Sequence, residues 1–361
     1  MASPSGPRPG ITVLVDGCSH RGGGGISYLR TLLPALAAQP GIAGVTAVVE
    51  PGSVLASALA GTPVGVEQRT PGRGGLAGRL FWEATVLARR SRGTVVLAPS
   101  AMLPRSLPAA VVAVPQNILP FTDREPREQI QRLAIARTMR SATAAIFVSR
   151  AMRDRVAAST SIPELEAVIP CALDAAFLEP HSAAARRDGV VVVADRLAHK
   201  RLGLALAAWR RLAEPRPPLT VIGAESHDRD GAGPGLRFER WLPPEGVAAA
   251  LRGAQLALLP SRAESFGLPA LEALAAGTRL IATDLPALRE TTAGHARLLS
   301  GGPDEWAGAI RQELSVTHDP GPGRAWAARF TAQRTAAASA ELLLEAARRA
   351  ARAARRTGAT G

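Results

Sequence analysis

The chain has 361 residues, 47% of them hydrophobic, and a formal net charge of +13, a length that exceeds one ordinary core and suits two domains of roughly 150–200 residues each. No apolar run reaches the ~18 residues of a membrane span, and the opening MASPSGPRPG lacks the apolar core of a signal peptide, so a cytoplasmic protein is expected. The basic excess is spread along the chain, and seven Phe and one Tyr make no stacking platform for single strands, which argues against nucleic acid as the partner.

Residues 11–15 read as a first strand, 16–25 as its loop, and 26–38 as a helix that Pro34 distorts. Four glycines, at 22–25, end that loop, and glycine lets a backbone approach a ligand closely while turning onto a helix N-terminus. A dinucleotide fingerprint is one reading, with Glu50 as its acidic partner after the apolar run 45–49; a plain flexible loop is the other. Ser27 stands where the third glycine of such a fingerprint belongs, and that counts against it. Cys18 and Cys171 are the only cysteines, with no metal spacing and no sign of a disulfide framework.

Residues 71–78 form a Gly-rich loop and 79–92 a predicted helix with Phe81, Trp82 and the cluster Arg89, Arg90 and Arg92. Strands are expected at 94–98 and 109–114. The loop after the second carries the amide pair Gln116 and Asn117, and amides bind sugar hydroxyls. A helix at 125–140, a strand at 144–148 and a helix capped by Ser149 complete a first doubly wound domain.

The polar stretch 179–188 reads as an interdomain linker, and residues 190–194 open a second sheet. Its loop runs Asp195-Arg196-Leu197-Ala198-His199-Lys200, and among the 43 basic residues Lys200 is the only lysine. A chain so biased to arginine keeps its one ammonium between a strand and the predicted helix 202–212, where a phosphate would lie. Residues 219–222 and 237–242 are further strands. The Asp-x-Asp at 228–230 sits among Gly, Pro and charged residues and reads as a solvated turn, not a metal site.

Residues 256–290 hold the most chemistry. A buried strand at 256–260 gives way to a loop at 261–268, then a helix with Pro269 at its start and Gly277 at its end, then a strand at 279–283. Glu264 lies in the loop and Glu272 in the expected first turn of the helix. Each carboxylate can accept from both hydroxyls of a vicinal diol. Between them the N–H groups of Phe266, Gly267 and Leu268 point out of the helix N-terminus, where an anion or sugar oxygen is held. A helix at 303–314 and a helical tail at 331–356 with a basic end follow.

The ordered set Ser261, Glu264, Phe266-Gly267-Leu268-Pro269, Glu272-Ala273 and Gly277 resembles the nucleotide-sugar motif of the family 4 retaining glycosyltransferases. The resemblance implies an α/β chain of the GT-B fold: two Rossmann-like doubly wound domains facing across a cleft, with a C-terminal helix that crosses back to the first. On that plan residues 1–178 are the acceptor-side domain, 179–188 the linker, 189–330 the nucleotide-sugar domain and 331–361 the helix and basic tail. The implied activity is retaining transfer of a hexose-type sugar from a nucleoside diphosphate sugar to a hydroxyl acceptor, with no cofactor and no metal. Glu272 then takes the ribose hydroxyls, and Glu264 lies against the transferred sugar. Arg196 and Lys200 match the family's arginine and lysine on the diphosphate, in a loop one residue shorter. The glycine loop, Gly23, Gly24 and Gly25, faces acceptor and phosphate. Many relatives carry a histidine where this chain has Gln116 and Asn117, so no histidine role is carried over, and Asn117 is kept as an acceptor-side amide.

Other classes stay open: a non-catalytic nucleotide-sugar-binding accessory subunit, a nicotinamide or flavin oxidoreductase resting on the glycine loop and Glu50, and, among enzymes of the same fold, an epimerase. For the basic clusters at 89–92 and 348–356 the default is a solvated helix end. The sharper expectation is reversible attraction to an anionic membrane surface of about 1 kcal/mol per charge.

Overall fold

The computed structural model describes residues 10–18, 23–68, 83–103, 107–179, 187–225 and 234–358. They form two compact units, one of residues 1–172 with 332–361 and one of residues 173–331. Most of the stretch 179–188 lies outside the described residues.

In the first unit the strands are β1 (Ile11–Asp16), β2 (Ile42–Val49), β3 (Gly65–Gln68), β4 (Val95–Ala98), β5 (Ala110–Ala113), β6 (Ala144–Phe147) and β7 (Glu166–Val168). They make one sheet in the order β3-β2-β1-β4-β5-β6-β7 with every pairing parallel. The second unit has β8 (Val190–Val193), β9 (Leu219–Ile222), β10 (Leu236–Glu239), β11 (Leu256–Leu259), β12 (Arg279–Thr283) and β13 (Arg297–Leu299), in the order β10-β9-β8-β11-β12-β13 and again parallel. In both sheets strand order reverses beside the first strand. Such a switch point opens a crevice outside the carboxyl ends of the two strands that flank it, where open α/β sheets bind ligands.

The pattern of the sequence explains the layering. Val190-Val191-Val192 and Leu256-Ala257-Leu258-Leu259 are buried along their whole length, as central parallel strands covered on both faces must be. Helices Leu202–Arg210 and Pro303–Ser315 cover one face through Trp209 and Trp306, which are 2% and 1% exposed. The Trp209 indole N–H donates to the Pro217 carbonyl at 2.7 Å, so burying the ring strands no donor.

The last helix, Ala332–Gly358, packs on the first unit against helix Gly24–Ala37 and strands β4, β5 and β6. Ala336, Ala340, Leu343 and Ala346 are buried at three- to four-residue spacing, the stripe that one helical face requires. The Thr335 hydroxyl ties the start of this helix to the Pro170 carbonyl at 3.0 Å. No helix among the described residues is long and apolar enough to cross a membrane.

Local detail refines the expected boundaries. Of the helix expected over 79–92, the described part is helical from Glu83 to Arg90, with a π-helical turn, Glu83–Leu87, running into an α-helical turn, Ala88–Arg90; Phe81 and Trp82 lie outside the described residues. Gly93, at φ +74°, separates this segment from the strand that starts at Val95. Gly24 and Gly25 belong to the first turn of helix Gly24–Ala37 rather than to the loop, and Pro34 sits inside this helix without ending it. Gly22 and the Asp-x-Asp at 228–230 are outside the described residues.

Candidate functional site

The loops after β8 and β11 flank the switch point of the second sheet, and the structure brings the single lysine and the loop carboxylate together there. A one-turn 3-10 helix, Ala198–Lys200, closes the first loop, and Arg201 at φ +49° turns the chain into helix Leu202–Arg210. The second loop docks on it by a backbone bond from the Arg262 N–H to the His199 carbonyl, 2.8 Å. Lys200 Nζ then donates to Glu264 Oε1 at 2.8 Å, with side chains 20% and 10% exposed. An ammonium has three N–H donors, so this pair leaves two for a further acceptor. Partial burial keeps the charges strong, because solvent screens them less than at a surface.

The neighbouring His199 reports this electrostatic setting. Burial holds its pKa below the ordinary 6.5, Lys200 lowers it further, and Glu264 acts in the opposite sense.

Helix Leu268–Ala275 starts at Gly267, whose φ of +94° is open to glycine and costly to other residues. A Cβ on Gly267 would also lie 2.3 Å from Leu288 Cδ2, so the residue is fixed twice, by backbone conformation and by space. Phe266 is buried at 4% exposure against Phe330, ring centroids 6.1 Å apart, and its carbonyl accepts from the Thr291 hydroxyl at 2.5 Å. This anchoring holds the amides of Phe266, Gly267 and Leu268 ahead of the first intrahelical bond, from Leu271 N–H to the Gly267 carbonyl. They have no carbonyl of the helix to donate to.

Pro269 is the second helical residue, not the first, and Glu272 is the fifth, in the second turn rather than the first. The helix begins one residue early because the left-handed Gly267 already caps it. Glu272 is half-buried. Gly277, at φ +69°, ends the segment as its position in the sequence implies.

Arg196 is held differently from Lys200. Its Nε donates to the Glu225 carbonyl at 2.9 Å, Nη2 bonds the same oxygen, and the guanidinium lies 5.6 Å from the Phe238 ring centroid. The Glu225 carboxylate in turn pairs with Arg240 at 2.5 Å. Glu225 was not singled out in the sequence; a charged residue directly beyond the buried strand β9 is the signal that marks it. Two buried hydroxyls at strand ends, Ser261 Oγ after β11 and Thr283 Oγ1 on β12, have no hydrogen-bond partner among the described residues. Ser261 stands in the recognised motif, and Thr283 ends the strand that follows it.

In the first unit, Gly23 caps helix Gly24–Ala37 at φ +65°, and a Cβ at Gly23 or Gly24 would meet nothing within 4 Å. Asn117 is exposed and engaged locally, its Oδ1 accepting from Leu119 N–H at 3.1 Å and its Nδ2 donating to Gln131 at 3.3 Å. The adjacent Gln116 has a buried Nε2 without a partner among the described residues, the stronger mark of a polar group suited to a ligand or water.

With this geometry in place, residues 188–315 match the family model "Glycosyl transferases group 1". Over 83 residues the chain is 42% identical to the D-inositol 3-phosphate glycosyltransferase of Corynebacterium urealyticum, a match covering 22% of this chain and 20% of that protein. Over 162 residues it is 35% identical to the glycogen synthase of Mycobacterium tuberculosis H37Rv, covering 40% and 39%. The chain thus spans about a fifth to two fifths of the length of these curated relatives. Among solved structures, Anabaena HepE in complex with UDP-glucose superposes with a TM-score of 0.67 at 17% identity, covering 96% of this chain and 99% of that one. A glycosyltransferase from Rickettsia africae ESF-5 gives 0.69 at 12% identity over 93% and 98%. At such identities the likeness is one of fold, and that fold is GT-B, with two parallel α/β sheets as the sequence resemblance implied.

Proposed function

We propose that this chain, whose residues 188–315 match the glycosyl transferases group 1 model, moves a hexose-type sugar from a nucleoside diphosphate sugar to a hydroxyl acceptor, a glycan or lipid-linked glycan. We further propose that it does so with retention of anomeric configuration and without a divalent metal. The observation that carries the reading is the Lys200–Glu264 pair at the switch point of the second sheet, in the loops beside the capped helix N-terminus at Gly267. A UDP-glucose complex of a protein with the same fold supports the donor class.

In this reading the anomeric C–O bond breaks and its electron pair goes to the departing diphosphate. The acceptor oxygen bonds the anomeric carbon, and its proton leaves with the diphosphate. The charge that develops on the leaving group is met by Lys200, by Arg196 and by the amides of Phe266, Gly267 and Leu268. Fixed donors aimed at developing charge are commonly the largest single catalytic contribution, and losing one costs about 10²–10³ in kcat. Glu272 accepts the ribose hydroxyls, and Glu264, released from Lys200 as the diphosphate arrives, turns to the sugar. Gly23, Gly24, Gly25 and Asn117 form the acceptor and phosphate side.

The test is incubation of the purified chain with a panel of nucleoside diphosphate sugars and hydroxyl acceptors, with product anomers assigned by NMR. Retained configuration and turnover that survives EDTA are expected. An inverted product defeats the first point, and activity lost to EDTA and restored by Mn²⁺ defeats the second. Donor binding with no transfer to any acceptor would make the chain an accessory subunit instead.

A further inference from the structure

The second unit carries another polar hollow at the opposite edge of its sheet. Lys200 and Glu264 follow the carboxyl ends of β8 and β11, whereas two adjoining cavities of about 280 and 270 Å³ open at Gly277 and Arg279, the amino end of β12. Helix Leu268–Ala275 joins the two regions, its N-terminus at Gly267 and its last carbonyls at the hollow.

The lining is unevenly charged. Four guanidinium groups, Arg187, Arg279, Arg297 and Arg324, face two carboxylates, Glu313 and Asp319, an excess of two positive charges with histidines neutral. Glu313 is already shared between Arg297 at 3.5 Å and Arg279 at 3.9 Å, and Asp319 accepts from the Gly321 N–H at 2.8 Å. Arg187 donates to neutral oxygens: Ala276 O at 2.9 Å, Thr278 Oγ1 at 3.2 Å and Ala254 O at 3.4 Å. Arg324 shares the Ala276 carbonyl at 3.3 Å.

The cations repel one another. Burial and then the nearby Arg324 hold Arg187 below the ordinary guanidinium range, and burial, then Arg279 and Arg187, lower His318, with Glu313 and Asp319 opposing. A concave, half-buried excess of charge is relieved by an anion, and guanidinium groups match phosphate oxygens in geometry as well as in sign. The lining has no Phe, Tyr or Trp, and its positive charge comes from arginine. A hollow of this volume admits a small molecule, not a strand or a bilayer.

We propose that this hollow is a second ligand site, specific for a small dianion of the phosphomonoester type, held by Arg187 and Arg279 with His318 at the rim. It is separate from the donor site and stands whether or not that site transfers sugar. Inorganic phosphate and a hexose monophosphate present the same dianion, so both serve as probes, with the neutral hexose as control.

The experiment is thermal shift and isothermal titration on the full chain and on Lys200→Met, which weakens any phosphate binding at the donor site. Saturable binding of both phosphates, none of the hexose, and persistence in Lys200→Met are expected. Tighter binding of the hexose monophosphate would identify an organic phosphate as the ligand; equal or tighter binding of inorganic phosphate would identify the ion itself. Arg187→Met should weaken affinity about tenfold or more, as loss of a charge-assisted bond implies. Arg187 also ties Ala276, so His318→Glu, which sets a carboxylate at an exposed rim position, provides a second reading should Arg187→Met unfold. Absence of saturable binding at millimolar phosphate, loss of binding in Lys200→Met, or binding untouched by His318→Glu would overturn the proposal.

Discussion

The two sheets share one strand order about their first strands and differ in what they place at the switch point. In the second unit the loops after β8 and β11 bring an ammonium onto a carboxylate at 2.8 Å, and its glycine, Gly267, is locked by a neighbour 2.3 Å from where a Cβ would be. In the first unit, Gly23 and Gly24 stand open, with nothing within 4 Å. The same backbone plan therefore presents fixed charges after the first strand of one sheet and exposed backbone after the first strand of the other. Fold supplied the position in both cases, and side chains supplied the difference.

The largest expected effect breaks the charged side of that contrast. Lys200→Ala and Glu272→Ala should each lower kcat/KM or donor affinity by roughly ten- to a thousandfold, since charge-assisted hydrogen bonds to the donor are lost. Steady-state kinetics and titration with the donor check this, and near-wild-type values in both variants would remove the assignment. Glu264→Ala should act more on turnover than on binding of the bare nucleoside diphosphate, which calorimetry separates.

Next comes Gly267→Ala. Placing a side chain at φ +94° against Leu288 should cost about 1–3 kcal/mol of stability, read as a lower denaturant midpoint with an unchanged slope. Gly24→Ala should do the reverse. Gly24 is helical with free space around it, so the variant should gain up to ~1 kcal/mol. Loss of turnover in a stabilised Gly24→Ala protein would then report close approach of a ligand, whereas unchanged turnover would reduce the open glycines to a helix start.

The smallest effect is a titration. His199 has a lowered pKa in the fold, so the unfolded chain binds the proton more readily and its contribution to stability is complete above about 6.5 and declines as pH falls below that value. Lys200→Met should raise the His199 pKa, because a repelling charge is gone, and Glu264→Gln should lower it further. Opposite shifts in an NMR titration would show the ion pair present in solution; shifts of the same sign would not.

Much of this was legible before any coordinates. Strands β9 and β12 fall where the apolar runs place them, because buried parallel strands announce themselves as short apolar blocks between turns. Lys200 and Glu264 stood out by residue type and by motif. Their contact did not, because 64 residues of chain separate them and only the parallel pairing of β8 with β11 brings their loops side by side. β3, Gly65–Gln68, was missed as a polar edge strand with no apolar alternation. β13 was missed for its three-residue length. The basic hollow was invisible for the same reason as the ion pair: Arg187, Arg279 and Arg324 are ordinary members of an arginine-rich chain until tertiary structure gathers them.

Lys200 has one further consequence. It is the only lysine in the sequence, so amine-directed chemistry meets a single side chain, and that side chain sits in the candidate donor site. Reductive methylation with ¹³C-formaldehyde would install one dimethyl-lysine signal, distinguished from the terminal amine by its absence in Lys200→Met. The exposed arginines, being inert to this reagent, would stay silent. A protease that cleaves after lysine likewise has one place to cut, at the side chain that Glu264 pairs with. Donor occupancy could thus be followed by the rate at which one bond in the whole chain is severed.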